Sequence, residues 1–177
     1  MRNGRRSPIR FVQSAADRSA NDQLRWGSRI ALFVSPVSSS FFLDPKVAVV
    51  TIIAHDGGIV LLKRAIEPAY GKWVFPGGFV DRGERVEAAA IRETREESCV
   101  DVRIARLLNI YSYTDHPVII VVYVGEIIQG RPTAGDETLE VGIFPPDELP
   151  WDQLAFPSTS QALRDYLATT TQPRNIP

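Results

Sequence analysis

One cysteine, Cys99, in 177 residues leaves no partner for an intramolecular disulfide and cannot build a cysteine-rich zinc module. That scarcity fits a reducing compartment. Histidine is scarce too. His55 falls in a turn and His116 precedes Pro117, and neither has partners at metal-ligand spacing, so both are assigned to the surface. No apolar run approaches the roughly 20 residues that span a bilayer. An excess of one charge is also missing: Lys+Arg 20 against Asp+Glu 21 gives a formal net charge of −1. No global positive field is available to recruit nucleic acid or anionic lipid. What remains, 44% hydrophobic and 23% charged residues, is the balance of one globular domain with a real core.

Residues 1–43 lack something more local. They hold seven arginines, eight serines and no lysine, with Asp17 and Asp22 as the only acids, and no period is sustained. A poorly structured extension has that composition, and so does an organellar transit segment. The expected location is therefore cytoplasmic, or an organelle if this segment is a targeting signal. RIALFVSPVSSSFF is apolar enough to form a strand or extended arm, but Pro36 and its length exclude a membrane anchor.

Residues 44–170 read as a single domain, with a tail at 171–177. KVAVVTIIA, the turn signal HDGG and IVLLKR predict a hairpin. KWVFPGG is short and extended before its proline. A helix is expected over Val86–Ser98, then a strand in VDVRIARLLNIYSY. VIIVVYVGEII (Val118 to Ile128) is apolar almost throughout, as a central strand would be. ETLEVGIF is a further strand, and STSQALRDYLATT a last helix. There Ser158 or Ser160 is the expected N-cap, and Ala162, Leu163, Tyr166 and Leu167 form the apolar face. A mixed sheet covered by helices, α/β in class, is the natural packing.

The helix carries the chemistry. At about 100° per residue, Glu93, Glu96 and Glu97 fall on one face within roughly 100°. Neighbouring carboxylates repel, and a divalent cation offsets that cost. With Glu84 ahead of the helix and Gly77–Gly78 able to bring backbone oxygens close, the donors are all hard oxygen, which suits Mg²⁺ or Mn²⁺. Arg92 can orient a carboxylate by charge-assisted hydrogen bonds. A solvated charged helix, with Arg92 and Arg95 paired to nearby glutamates, fits the same letters.

Spacing separates the two. Gly78, then Glu84 after five residues, then Arg92-Glu93-Thr94-Arg95-Glu96-Glu97 after seven more, resembles the signature of the Nudix hydrolases, and KWVFPGGF is similar to that family's approach to it. The resemblance extends over about Asp44 to Leu167 and implies the family's α/β/α sandwich with a mixed sheet. It implies that Glu93, Glu96 and Glu97 bind about one to three Mg²⁺ ions (Mn²⁺ as the substitute), with Glu84 and the Gly78 carbonyl contributing. Arg92 would hold the glutamates, and Glu96 is the base candidate within the signature. Outside it the candidates are Glu137 and Glu140. Of these, Glu140 is the expected base, with a plain edge-strand charge as its competing role. Two positions depart from the signature: Thr94 stands where an aliphatic residue is usual, and Cys99 where glycine ends the helix. Cys99 is expected to be a small buried residue paying about 1 kcal/mol for a left-handed conformation.

LLKRAIEP, GKWVFPGGF, GDETLEVGIF and PWDQLAFPS look similar to a subgroup in which a cysteine-bearing zinc ribbon precedes the domain. No cysteine precedes Asp44 here, so the ribbon's roles do not carry over. The resemblance implies hydrolysis of nucleoside diphosphate derivatives such as ADP-ribose, NADH or FAD. The alternatives are pyrophosphate release from a nucleoside triphosphate and a non-catalytic nucleotide sensor. Substrate-binding candidates are Gly77, Arg64 toward a phosphate, and Trp73 and Phe156 toward a base, with core packing as the competing role for both aromatics. The expected partner is a nucleotide-derived small molecule. A homodimer is left open, a membrane is excluded and nucleic acid is disfavoured.

Overall fold

A computed structural model describes residues 24–26, 29–33, 40–42 and 44–171. By contacts the chain divides into Met1–Asp44 and Pro45–Pro177. In the first unit β1 (Leu24–Trp26), β2 (Arg29–Phe33) and β3 (Ser40–Phe42) form an antiparallel sheet in that order. β2 and β3 fall within RIALFVSPVSSSFF. The remaining expectations for residues 1–43, and those for the tail beyond Thr171, lie outside the described residues.

The second unit is built on β4 (Lys46–His55), β5 (Gly58–Arg64), β6 (Trp73–Val74), β7 (Gly77–Phe79), β8 (Asp101–Tyr111), β9 (Val118–Gln129) and β10 (Thr138–Phe144). The sheet runs β10-β5-β4-β9-β8. β4 and β9 are parallel, and the other neighbours are antiparallel. Helix α1 spans Val86–Ser98 and α2 spans Pro157–Thr171. A mixed sheet covered by α1 on one face and α2 on the other is the expected α/β/α sandwich.

Alternation along the strands decides which residue meets which helix. On β4, Val49 packs with Ala89 and Ala90 of α1, and the Thr51 hydroxyl donates to Ala90 O at 3.4 Å. Ile52, pointing the other way, packs with Ala162 and Leu163 of α2. On β5 the odd residues Ile59 and Leu61 join the α2 side, whereas Val60 and Leu62 join the cluster containing Ile53. Small Ala89, Ala90, Thr94 and Ser98, all buried, let α1 lie close to the sheet.

The hairpin is shorter than the apolar runs suggest. Asp56 (φ 47°) and Gly57 (φ 80°) make the tight turn, but only Ala54↔Ile59 and His55↔Gly58 pair across it. The strands then part, and the KWVFPGGF segment lies between them, β6 against β5 and β7 against β4. α2 also starts earlier than expected. Pro157 is its first residue, so Ser158 and Ser160 lie inside the first turn and neither is the N-cap. Proline suits that first position, because its missing N–H has no helical partner there. Ala162 and Leu163 are buried, and Tyr166 and Leu167 pack beside them, as the apolar stripe implies.

Candidate active site

The parting of β4 and β5 delivers Gly77 and Gly78 to the flank of α1. The Gly77 N–H donates to Glu97 Oε2 at 2.8 Å. Gly78 has no room for a side chain, since a Cβ there would lie 2.5 Å from Glu93 Cδ and 2.6 Å from both its carboxylate oxygens. Two helix carboxylates are thus pressed onto one stretch of extended backbone.

Arg92 ties the cluster together. Its Nε and Nη2 donate to the two oxygens of Glu84 at 3.0 and 2.9 Å, and Nη1 donates to Glu93 at 2.7 Å and Glu96 at 3.1 Å. Nη2 also reaches Phe79 O at 3.2 Å. A planar fork serves several acceptors at once, which an ammonium does poorly. Glu84 takes a further bond from the Asp81 N–H at 3.1 Å. Its carboxyl is held below the usual range by the Arg92 bond and then by the Asp81 bond. Glu84 therefore fixes Arg92 as much as it contributes charge.

Glu93 and Glu97 behave oppositely. Burial pushes Glu93 up, against the pull of Arg92. Burial pushes Glu97 up to about 7; the Gly77 N–H and Arg64 pull it down, while Glu93 and Glu137 add to the rise. Low-dielectric surroundings with insufficient positive charge produce this pattern.

Arg64 ends β5 on the same face as Val60 and Leu62, toward α1. Its guanidinium lies 5.3 Å from the centre of the Phe156 ring, and Nε donates to Pro68 O at 2.9 Å. Arg64 and Phe156 are therefore together, with Arg64 in electrostatic reach of Glu97. Trp73 is not free to stack on a base. It is 6% exposed, meets Phe144 edge-on at 4.9 Å and carries the Lys63 ammonium 5.4 Å from its ring centre. Its place is the core.

Glu140 is likewise turned away. Simple alternation from Thr138 would keep it on the α1 side, but β10 bulges between Thr138 and Glu140, pairing Thr138 with Arg64 and Glu140 with Lys63. One extra residue reverses the facing of everything beyond it. The Thr138 hydroxyl donates to Glu97 O at 3.1 Å, whereas Glu140 binds Lys63 Nζ at 3.1 Å on the opposite face. Glu137, the alternative, sits in the loop just before the bulge with its charge felt at Glu97. Cys99 is left-handed as expected (φ 55°, ψ 27°), and its N–H donates to Arg95 O at 3.0 Å. It is exposed rather than buried.

Glu93, Glu96, Glu97 and the Gly78 carbonyl are hard-oxygen donors of the kind a divalent cation takes. Among the described residues no three His, Cys, Asp or Glu side chains already close on a single point. Glu93 and Glu96 instead lean on Arg92. The set nevertheless fits a cation. The missing Cβ of Gly78 brings a carboxylate against backbone, and burial, the first cause of the raised proton affinities of Glu93 and Glu97, makes their charged forms ones a cation would stabilise. Sequence reasoning missed Gly135 and Thr138. Nothing in PTAGDET signals that they touch α1.

The family model described as NUDIX domain matches residues 43–166. The chain is 38% identical over 130 residues to the ADP-ribose pyrophosphatase of Methanocaldococcus jannaschii, covering 71% of this chain and 75% of that protein. Among solved structures, a NUDIX hydrolase from Nitrosomonas europaea superposes with a TM-score of 0.73 at 29% identity, covering 81% of this chain and 83% of that one. A MutT NUDIX hydrolase from Burkholderia pseudomallei gives 0.63 at 34% identity, covering 69% of this chain and 98% of the other.

Proposed function

The chain belongs to the Nudix hydrolase family, and from that premise we propose a Mg²⁺-dependent pyrophosphohydrolase of nucleoside diphosphates linked to a second moiety. ADP-ribose, NADH and FAD are the type substrates. The products are a nucleoside monophosphate and a phosphorylated remainder. Support for the substrate class comes from the M. jannaschii relative, whose name specifies ADP-ribose.

One observation carries the site: Glu97 held by the Gly77 N–H, with Glu93 against Gly78 and Arg92 spanning Glu84, Glu93 and Glu96. Glu93, Glu96, Glu97 and the Gly78 carbonyl are the residues that would hold the ion. A bound divalent ion supplies charge neutralisation and polarisation of the phosphoryl oxygens. Arg64, braced by Phe156 and Pro68 O, presents a guanidinium to a substrate phosphate. The oxygen of a water bonds to one phosphorus as the bond from that phosphorus to the bridging oxygen breaks. The bridging oxygen leaves on the other phosphate, and the water's proton passes to a carboxylate, for which Glu137 replaces Glu140. Glu96 is freed for metal binding. Holding water and phosphorus in line is the main contribution asked of the protein.

Incubating the full chain with Mg²⁺ and ADP-ribose, NADH or FAD, with products read by mass, is expected to yield AMP. Glu97→Gln is expected to abolish turnover while the circular dichroism spectrum is unchanged. Turnover of Glu97→Gln at the wild-type rate removes the assigned site. Release of pyrophosphate from nucleoside triphosphates alone moves the substrate class, and no turnover across the panel leaves a nucleotide sensor.

A further inference from the structure

The last carbonyls of α1 have no partners within the helix beyond the Cys99 N–H on Arg95 O. A loop far along the chain supplies them. Thr133 N–H donates to Ser98 O at 3.0 Å, Gly135 N–H to Glu97 O at 3.0 Å and Asp136 N–H to Glu96 O at 2.9 Å. The Thr138 hydroxyl adds a second bond to Glu97 O at 3.1 Å. The contact is too close for any side chain at its centre: a Cβ on Gly135 would lie 2.0 Å from Glu96 O and 3.0 Å from Glu96 C. Backbone stands there, and backbone of a helix does not move aside cheaply.

From this geometry we infer that Gly135 is a positioning residue of the active site: it lets residues 133–138 seat on the backbone of Glu96 and Glu97, fixing Glu137 opposite the carboxylates of those residues. Glu137 is two residues from the glycine, has φ 56° and is tied on its other side by Ala65 N–H donating to its carbonyl at 2.8 Å. Ala65 adjoins Arg64. One loop therefore runs from the main chain of Glu96 and Glu97 to that of Ala65, anchored on the backbone of two residues that would hold the ion. The inference rests on the preceding assignment of Glu137 as base only for its effect on turnover. The seating itself is a property of the backbone.

Two readouts separate these parts. Amide hydrogen exchange on the metal-free full chain follows the seating, and kcat and KM for ADP-ribose with Mg²⁺ follow its consequence. Gly135→Ala is expected to speed exchange at residues 135 and 136, and to lower kcat about 100-fold with KM within about twofold, the scale of a base displaced by about an ångström. Thr138→Val is the milder variant and lowers kcat less; Thr138→Ser, which keeps the hydroxyl, restores most of it. Combined with Glu137→Gln, Gly135→Ala is expected to cost little more than Glu137→Gln alone, because both act through one carboxylate. Unchanged exchange in Gly135→Ala overturns the seating. Losses that multiply in the double variant overturn the positioning role. If Glu137→Gln alone keeps full activity, the base assignment falls, while exchange still decides the seating.

Discussion

Arg92 makes five hydrogen bonds from one guanidinium, four to carboxylates and one to Phe79 O. Those bonds use directions as well as charge. Arg92→Lys keeps the charge and loses the fork. If the glutamates hold the ion as proposed, it is expected to lower kcat/KM about 10- to 100-fold, the scale seen when a partner that orients metal ligands is lost. Steady-state kinetics with titrated Mg²⁺ check it, and wild-type kcat/KM in Arg92→Lys would show that charge alone suffices. The common face of Glu93, Glu96 and Glu97 was legible in the sequence because the helical period sets it. Glu140 was not, because its facing depends on a one-residue bulge that no local pattern marks. Trp73 was ambiguous for another reason: an aromatic beside PGG serves a core and a base pocket equally well by type, and only the 6% exposure decides.

At the scale of elements, α1 was readable to its ends, Val86 and Ser98. Its termination is less conventional. Cys99 takes the left-handed conformation that glycine adopts without strain. Cys99→Gly relieves about 1 kcal/mol and returns part of it through the freer unfolded chain, so a net gain of roughly 0.5 kcal/mol is expected in denaturant unfolding. A loss of stability there would mean the thiol makes a contact that matters. α2 is held differently. The Tyr111 hydroxyl donates to Asp165 Oδ2 at 2.6 Å, and Asn109 Nδ2 donates to the same oxygen at 3.1 Å. Burial first, then the Asp165 bond, raises the Tyr111 pKa. A raised folded pKa gives stability that is complete below the unfolded value near 10 and is lost as pH climbs through the folded one. Tyr111→Phe is expected to cost about 1 kcal/mol at neutral pH and to flatten the decline above pH 10, which urea titrations at pH 7 and 10.5 resolve. These ties were invisible in sequence, since β8 and α2 are joined only through the tertiary fold.

Across the whole molecule, the sheet that stabilises the chain also holds charge where it is unfavourable. The β4–β5 split admits Gly77 and Gly78, and the α1 packing carries Glu93 and Glu97 into surroundings that raise their proton affinity. The sign follows from linkage. For Glu97, raised from 4.5 to about 7, the stabilising protonated form is fully present below about 4.5 and is lost as pH rises through 7. At pH 8 the metal-free protein therefore folds against a buried carboxylate, and Gln at position 97 removes that cost while keeping an oxygen for the Gly77 N–H. Metal-free Glu97→Gln is expected to melt at or above the wild type at pH 8, with the difference shrinking toward pH 4.5. A cation that binds only the folded wild type raises its Tm by mass action, and that shift should be smaller in the variant. Thermal melts with and without Mg²⁺ at the two pH values decide it. A variant less stable than metal-free wild type at pH 8, with an undiminished Mg²⁺ shift, would mean that Glu97 is a structural side chain and that the cation sits elsewhere.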